Sequence, residues 1–368
     1  MTVTCQILFK KPKDGVHRAG HPVDGSIKFN IEKPGDFEQI TLSLIGKGKC
    51  SWSESMTTSQ GPSSISYCGK ETYVEMHQPL LESDGETLLL VTGGEHTHDF
   101  CFMLPENIPT SFKDKICTIS YKVCIVFIRP GVLTRNLKFE APIFVYGNTV
   151  PCSPEPIIVG LHKALTKPFS HKEHAVSLKA KVDETYVKPG NDIKLALTIN
   201  NASDVTITAV KTELIRYTTY TSETGHQKIH KKIIKEATGQ TLSIKKYTLT
   251  KISTMIPTLP DLMSIQHSKI MMREYRVKVT VRLPLPHLNA STEIPVVLAN
   301  QFDDIEESKD HSSSWDTMDE DVGRWTTNSI SLLRKRSYDS YPNLLREVGN
   351  TMGHNNTRHR NTKFSPIL

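Results

Sequence analysis

Residues 94–130, GEHTHDFCFMLPENIPTSFKDKICTISYKVCIVFIRP, constrain the fold of this chain more than any other stretch. Phe100, Phe102 and Leu104 alternate with smaller or polar positions, and Pro105 and Pro109 end that run. Past a turn around 111–115, Ile119, Tyr121, Val123, Ile125 and Phe127 fall on one face, while Cys124, Val126 and Ile128 fall on the other. A strand with one wet face alternates, whereas a continuous apolar run requires cover on both sides. The two strands are therefore expected at the centre of a β-sandwich, joined by a proline-bounded turn.

The flanking sequence carries the same period of two. Val23, Ile27, Phe29 and Ile31 alternate up to Pro34-Gly35, and Ile40, Leu42 and Leu44 alternate up to Gly46. Residues 53–67, rich in Ser, Thr and Gly, read as a mobile loop. Residues 149–173, with Pro151, Pro154, Pro156 and Pro168, read as a proline-rich linker between a first sandwich at 1–148 and a second at 174–300. In the second, Val176, Leu178, Ala180 and Val182 alternate, as do Ile193, Leu195, Leu197 and Ile199. Residues 218–235 and 243–250 read as long strands joined through Thr238-Gly239. Tyr275, Val277, Val279, Val281 and Leu283 form a further strand. Residues 301–368 open with Asp303, Asp304, Glu306 and Glu307 and continue rich in Ser, Asn and Arg, the composition of a disordered tail.

These residues resemble the arrestin family, on the branch of the arrestin domain-containing proteins, or alpha-arrestins. The resemblance rests on Gly94, His96, Phe100, Phe102, Leu104, Pro105, Pro109, Ser111, Phe112, Tyr121, Arg129 and Pro130, with Gly20, Val23, Gly25, Gly46 and Trp52 upstream. In the second half it rests on Tyr186, Pro189, Gly190, Asn201, Ser203, Tyr275, Val277, Val279, Ile294, Pro295 and Val296. It implies an all-β chain of two tandem immunoglobulin-like sandwiches acting as a non-catalytic adaptor for membrane-protein cargo. Members of this branch typically carry Pro-Pro-x-Tyr, which docks the WW domains of ubiquitin ligases. This sequence has no Pro-Pro pair, so any ligase is expected to be recruited indirectly.

Composition limits the alternatives. The longest apolar run, residues 123–128, falls far short of the ~20 residues of a membrane helix, and the amino-terminal apolar patch is too short for a signal-peptide core. Seven cysteines in an odd number, without Cys-x-x-Cys, fit buried reduced thiols in the cytoplasm. On that reading Asn201 and Asn289 go unused as glycan acceptors. An extracellular or structural β-sandwich, or a retromer-type coat subunit, is the alternative.

No Gly-x-Ser-x-Gly elbow, phosphate loop or His-Glu-x-x-His is present, so neither an enzyme nor a cofactor is expected. His96 and His98 would share a strand face as metal ligands must, but no third ligand accompanies them. The same holds for His171 and His174. Lys228, Lys231, Lys232, Lys235, Lys245 and Lys246 are expected on neighbouring strands as a basic patch for anionic lipid or acidic cargo. They could equally guard a sheet edge. Nucleic acid is not expected, because aromatic residues do not interleave the lysines.

The tail holds short motifs. Tyr341-Pro342-x-Leu344 fits both a ligand of an ESCRT-associated adaptor and the Tyr-x-x-hydrophobic signal of clathrin adaptors. Ser337 follows Arg334-Lys-Arg336 as a basophilic phosphorylation site, and Arg336-x-Tyr338-x-Ser340-x-Pro342 resembles the phosphoserine ligands of 14-3-3 proteins. The expected setting is the cytoplasm, with recruitment to the plasma membrane and endosomes.

Overall fold

The strand predicted at 119–128 is present and lies inside a sheet, but cover on both faces is not found. Ile119, Tyr121, Val123, Ile125 and Phe127 are buried, whereas on the other face only Cys124 is buried, Val126 and Ile128 are half-buried, and Lys122 pairs with Glu140 at the surface. In the computed structural model the described residues are 2–300 apart from 11, 13–14, 59–60, 83–88, 132–133, 166–173 and 242. The tail residues singled out above, Ser337, Ser340, Tyr341, Pro342 and Leu344, lie outside them. Among the described residues every regular element is a strand.

The first lobe contains β1 (Val3–Phe9), β2 (His17–Arg18), β3 (Pro22–Ile31), β4 (Gly35–Phe37), β5 (Gln39–Thr58) and β6 (Gly61–Glu82). It continues with β7 (Leu89–Val91), β8 (Gly94–Met103), β9 (Phe112–Lys113), β10 (Cys117–Ile128), β11 (Leu137–Ile143) and β12 (Val145–Tyr146). One sheet has the order β1-β3-β8; the facing sheet has the order β11-β10-β5-β6, with β9 added to β10. The predicted central pair is thus not a hairpin. β8 is the outer strand of one sheet and β10 an inner strand of the other, because the proline-bounded segment between them crosses the sandwich. Tyr121, 1% exposed, ties that crossing down by donating its hydroxyl to the Pro109 carbonyl at 2.6 Å, as a buried phenol must. Phe29 and Phe127 meet edge-to-face across the core at 5.2 Å.

Gly46 has a steric reason. A methyl group there would lie 2.4 Å from the Tyr121 ring and 2.7 Å from Val74.

The second lobe contains β13 (Ile157–Ala164), β14 (Ala175–Val182), β15 (Tyr186–Val187), β16 (Asp192–Asn201), β17 (Ala209–Thr221), β18 (Gln227–Gln240), β19 (Thr248–Pro257), β20 (Met271–Arg282) and β21 (Ala290–Leu298). Its sheets run β13-β14-β16-β19 and β15-β21-β20-β17-β18. Alternate residues of β14, β16 and β20 fill the space between them: Leu178, Ala180, Leu195, Leu197, Val277 and Val279 are all buried.

Three expectations are corrected. Residues 53–67 are mostly strand, since β5 and β6 pair from Gln39↔Glu82 to Thr58↔Gly61. Their polar composition hid a ladder held by backbone bonds and by Trp52 stacked on Tyr67 at 5.5 Å. Within the predicted linker, 157–164 forms β13 and pairs with β14; Ile157, Val159 and Leu161 alternate, but the surrounding prolines mask the pattern. The stretch 218–235 is broken by a turn at Ser222–His226, where Gly225 adopts φ +80°. Thr238-Gly239 is no turn; it lies in β18 just past a register shift opposite Glu213 and Leu214.

Candidate functional site

β18 is the outer strand of its sheet and carries four of the predicted lysines, Lys228, Lys231, Lys232 and Lys235. Lys245 and Lys246 are not on a neighbouring strand. They sit where the chain passes from β18 to β19, in the other sheet, with the Lys245 carbonyl accepting from Asn201 Nδ2 at 3.0 Å. Four of the six lysines therefore lie along one edge strand, and the other two lie in the connection that follows it.

The lysines are not equivalent. Lys228 lies 4.0 Å from Glu54 of the first lobe. Lys231 lies 3.6 Å from Glu293 and 5.1 Å from the centre of the Tyr217 ring, and Arg276 approaches that ring at 5.0 Å. The Tyr217 hydroxyl, with Glu293 behind it, holds the Lys231 ammonium above the usual lysine range. Lys232, Lys235, Lys245 and Lys246 are exposed and make no ion pair among the described residues. Beside the register shift, an open groove of about 700 Å³ is lined by Lys211, Glu213, Lys231, Lys232, Ile233, Lys235 and Thr238. Lys211 is already paired with Glu213.

The loop end also carries apolar residues that sequence reading missed. Leu285 is 94% exposed and Leu288 76% exposed in the β20–β21 connection. Tyr247 and Leu249, next to the two distal lysines, are likewise exposed. The Thr208 amide donates to the Arg282 carbonyl and Ile207 bridges Ile244, so these connections share one end of the sandwich. The signal was present in Leu283-Pro-Leu-Pro-His-Leu288, where prolines halt a strand while leucines continue. At the same end Asn201 is fully buried, and its Nδ2 donates to the Val205 and Lys245 carbonyls, so it cannot carry a glycan.

A seam joins the lobes. Tyr220, Ile265, Ile270 and Met271 of the second lobe pack into the hydrophobic core of the first. Asp114 Oδ1 accepts from the amides of Ile116 and Cys117 at 2.8 and 2.7 Å, and Oδ2 accepts from the Tyr220 hydroxyl at 2.5 Å. Glu71 accepts from Ser268 Oγ and from the Lys269 amide, and the Tyr73 hydroxyl meets Ser268 Oγ at 2.8 Å. Arg273 lies over the Phe112 ring at 4.4 Å, and burial presses its guanidinium below the usual range. His226 stacks on Tyr67 at 4.0 Å and reaches Glu54 at 3.1 Å.

His96 and His98 both stack on Phe29, at 5.0 and 5.7 Å, and His96 Nε2 lies 2.9 Å from the Thr92 carbonyl. Their rings are occupied as packing groups, and among the described residues no cluster of three or more His, Cys, Asp or Glu side chains converges on a point. Residues 46–49, beyond the point where the alternation of Ile40, Leu42 and Leu44 stops, continue within β5 and pair on both sides. All seven cysteines are free thiols, but the expectation that they are buried holds only for Cys50, Cys117 and Cys124: Cys5 is half-buried, and Cys68, Cys101 and Cys152 are exposed.

Comparison with known proteins agrees with this architecture. The family model "Arrestin (or S-antigen), N-terminal domain" matches residues 5–146, and the corresponding C-terminal domain model matches 172–301. Arrestin domain-containing protein 5 of Bos taurus is 24% identical over 317 residues, covering 82% of this chain and 92% of its own length. The Homo sapiens protein of that name is 22% identical, covering 82% and 89%. Arrestin domain-containing protein 17 of Caenorhabditis elegans is 22% identical, covering 94% and 84%. With both domain models matched in tandem on two packed sandwiches, the chain belongs to the arrestin family of non-catalytic adaptors, on its alpha-arrestin branch.

Proposed function

We propose that this protein links the cytoplasmic part of a membrane protein to sorting machinery, with the loop end of its second lobe turned against an anionic membrane. The supporting observation is that Lys245 and Lys246 share one end with the exposed side chains of Leu285, Leu288, Tyr247 and Leu249. Each lysine near an anionic surface contributes about 1 kcal/mol, and each leucine that enters the interfacial layer contributes about 1.5–3 kcal/mol. A contact of this size is reversible by itself. It becomes stable when a cargo segment binds at the same time and raises the effective concentration of the membrane site. The groove beside Lys232 and Lys235 favours an acidic or phosphorylated cargo segment.

In this reading the tail supplies the second function. Tyr341 and Leu344 engage a clathrin or ESCRT-associated adaptor, phosphorylated Ser337 or Ser340 recruits a 14-3-3 protein, and any ubiquitin ligase arrives through these partners. The protein then moves between cytoplasm, plasma membrane and endosomes. Sedimentation with phosphatidylserine vesicles tests the membrane part. Binding should fall at least tenfold for Lys245→Glu/Lys246→Glu and for Leu285→Ser/Leu288→Ser, and wild-type binding should weaken with salt. Undiminished binding by both variants refutes the membrane contact. Tyr341→Ala/Leu344→Ala should keep vesicle binding and lose adaptor capture.

A further inference from the structure

The seam covers two cysteines that the adaptor reading does not use. The pairing of β5 with β10 sets Cys50 opposite Cys117. Both backbone groups of Cys117 turn away from Cys50: its amide donates to Asp114 Oδ1 at 2.7 Å, and its carbonyl accepts from the Asp114 amide at 2.9 Å. The ladder bond falls on the next pair, from the Ser51 amide to the Ile116 carbonyl at 2.9 Å. Bonded and non-bonded pairs alternate along an antiparallel ladder, so Cys50 and Cys117 are a non-hydrogen-bonded pair. In such a pair the Cα atoms stand about 4.5 Å apart and the side chains approach most closely. That separation falls inside the ~4.4–6.8 Å range that a disulfide bridges.

Directly opposed residues share a face, and both side chains are buried, at 0% and 1% exposure. Part of the cover over Cys50 belongs to the second lobe. Cys50 Sγ donates to the Thr221 carbonyl at 3.5 Å. Ile270 and Thr221 also press on Gly69, the β6 neighbour of Cys50, where a methyl group would lie 2.7 Å from that carbonyl. Cys68 pairs with Ser51, one register position away and exposed, so it faces away from the pair.

We propose that Cys50 and Cys117 form a reversible cross-strand disulfide whose formation is gated by separation of the two lobes. With a small-molecule disulfide such as oxidised glutathione as oxidant, one cysteine thiolate attacks a glutathione sulfur and one glutathione thiol leaves. The second cysteine then attacks the mixed disulfide and releases the other glutathione. The protein loses two protons and two electrons, and one disulfide becomes two thiols. In the docked form the second lobe blocks access, and burial raises the Cys117 thiol to about 12, which starves the reaction of thiolate. Once oxidised, Cys50 no longer has a proton to donate to Thr221, so the bridge opposes redocking.

The test exposes the full chain to oxidised glutathione, then traps free thiols and maps the peptides by mass. The expected product is a Cys50–Cys117 link, lost in Cys50→Ser and retained in Cys68→Ser. Tyr220→Phe, which weakens the seam while keeping both cysteines, should speed its formation roughly tenfold or more. Separate glutathione adducts on Cys50 and Cys117 without a link would overturn the bridge. Equal rates in wild type and Tyr220→Phe would overturn the gating. Because wild type alone reports the link, misfolding of a serine variant does not obscure the result, and neither outcome bears on vesicle binding.

Discussion

Replacing Tyr220 with phenylalanine isolates one bond of the lobe seam. The ring stays packed beside Met271 and keeps its edge contact with His230 at 5.3 Å, while the hydroxyl that donates to Asp114 is lost. Asp114 does not move in consequence, because two backbone amides hold its other oxygen. Tyr220 is 2% exposed, so no water replaces the missing donor without opening the seam. A hydrogen bond to a charged acceptor contributes about 1.5–3 kcal/mol. At ~1.4 kcal/mol per decade, that corresponds to roughly 10- to 150-fold in the opening constant of the seam. Hydrogen exchange reads that constant directly at two amides that cross between the lobes: Glu223, bonded to the Cys68 carbonyl, and Lys269, bonded to Glu71. Both should exchange faster by that factor, while inner amides of β10 such as that of Ile125 keep their wild-type rates. A cycle with Asp114→Ala should give a coupling of about 1.5 kcal/mol or more. Seam amides within twofold of wild type, or a coupling under about 0.5 kcal/mol, would refute the assignment of this bond to lobe docking.

Two further outcomes test the packing and the surface charges. Gly46→Ala forces a methyl group into the Tyr121 ring and Val74, and should lower first-lobe stability by about 1–3 kcal/mol in denaturant unfolding. Glu140 is held below the usual carboxylate range by hydrogen bonds from Lys122 and then Lys138, all at the surface. A depressed carboxylate stabilises above its unfolded value and stops doing so as pH falls through its folded one. Glu140→Gln should therefore cost no more than ~1 kcal/mol at neutral pH, less in high salt, and nothing at a pH below the folded value. A cost that persists in acid would point to packing instead of charge.

Most strands were legible because alternation is a local property. In β14, β16 and β20 each apolar residue needs only its neighbours two places away to define a buried face, and the apolar run of β10 marks an inner strand, although the face carrying Val126 and Ile128 is only half covered. The elements that escaped were those whose stability comes from distant groups. The outer half of the β5–β6 hairpin is polar and persists through its ladder and the ring stack of Trp52 on Tyr67, and β13 is an alternating outer strand surrounded by prolines. The lysines of the candidate site were equally visible in sequence, but their division into engaged and free was not. Glu54 and Glu293 neutralise Lys228 and Lys231 from other strands, and the fold alone brings Lys245 and Lys246 to the same end as Leu285 and Leu288.

Sequence by itself determined the two sandwiches, since burial of alternate side chains requires nothing beyond the order of residues along each strand. Tertiary structure decided the seam. Asp114 with Tyr220, Glu71 with Ser268 and Cys50 with Cys117 are partners far apart in the chain. No periodicity encodes such contacts; they exist only once the sheets have closed and the lobes have packed.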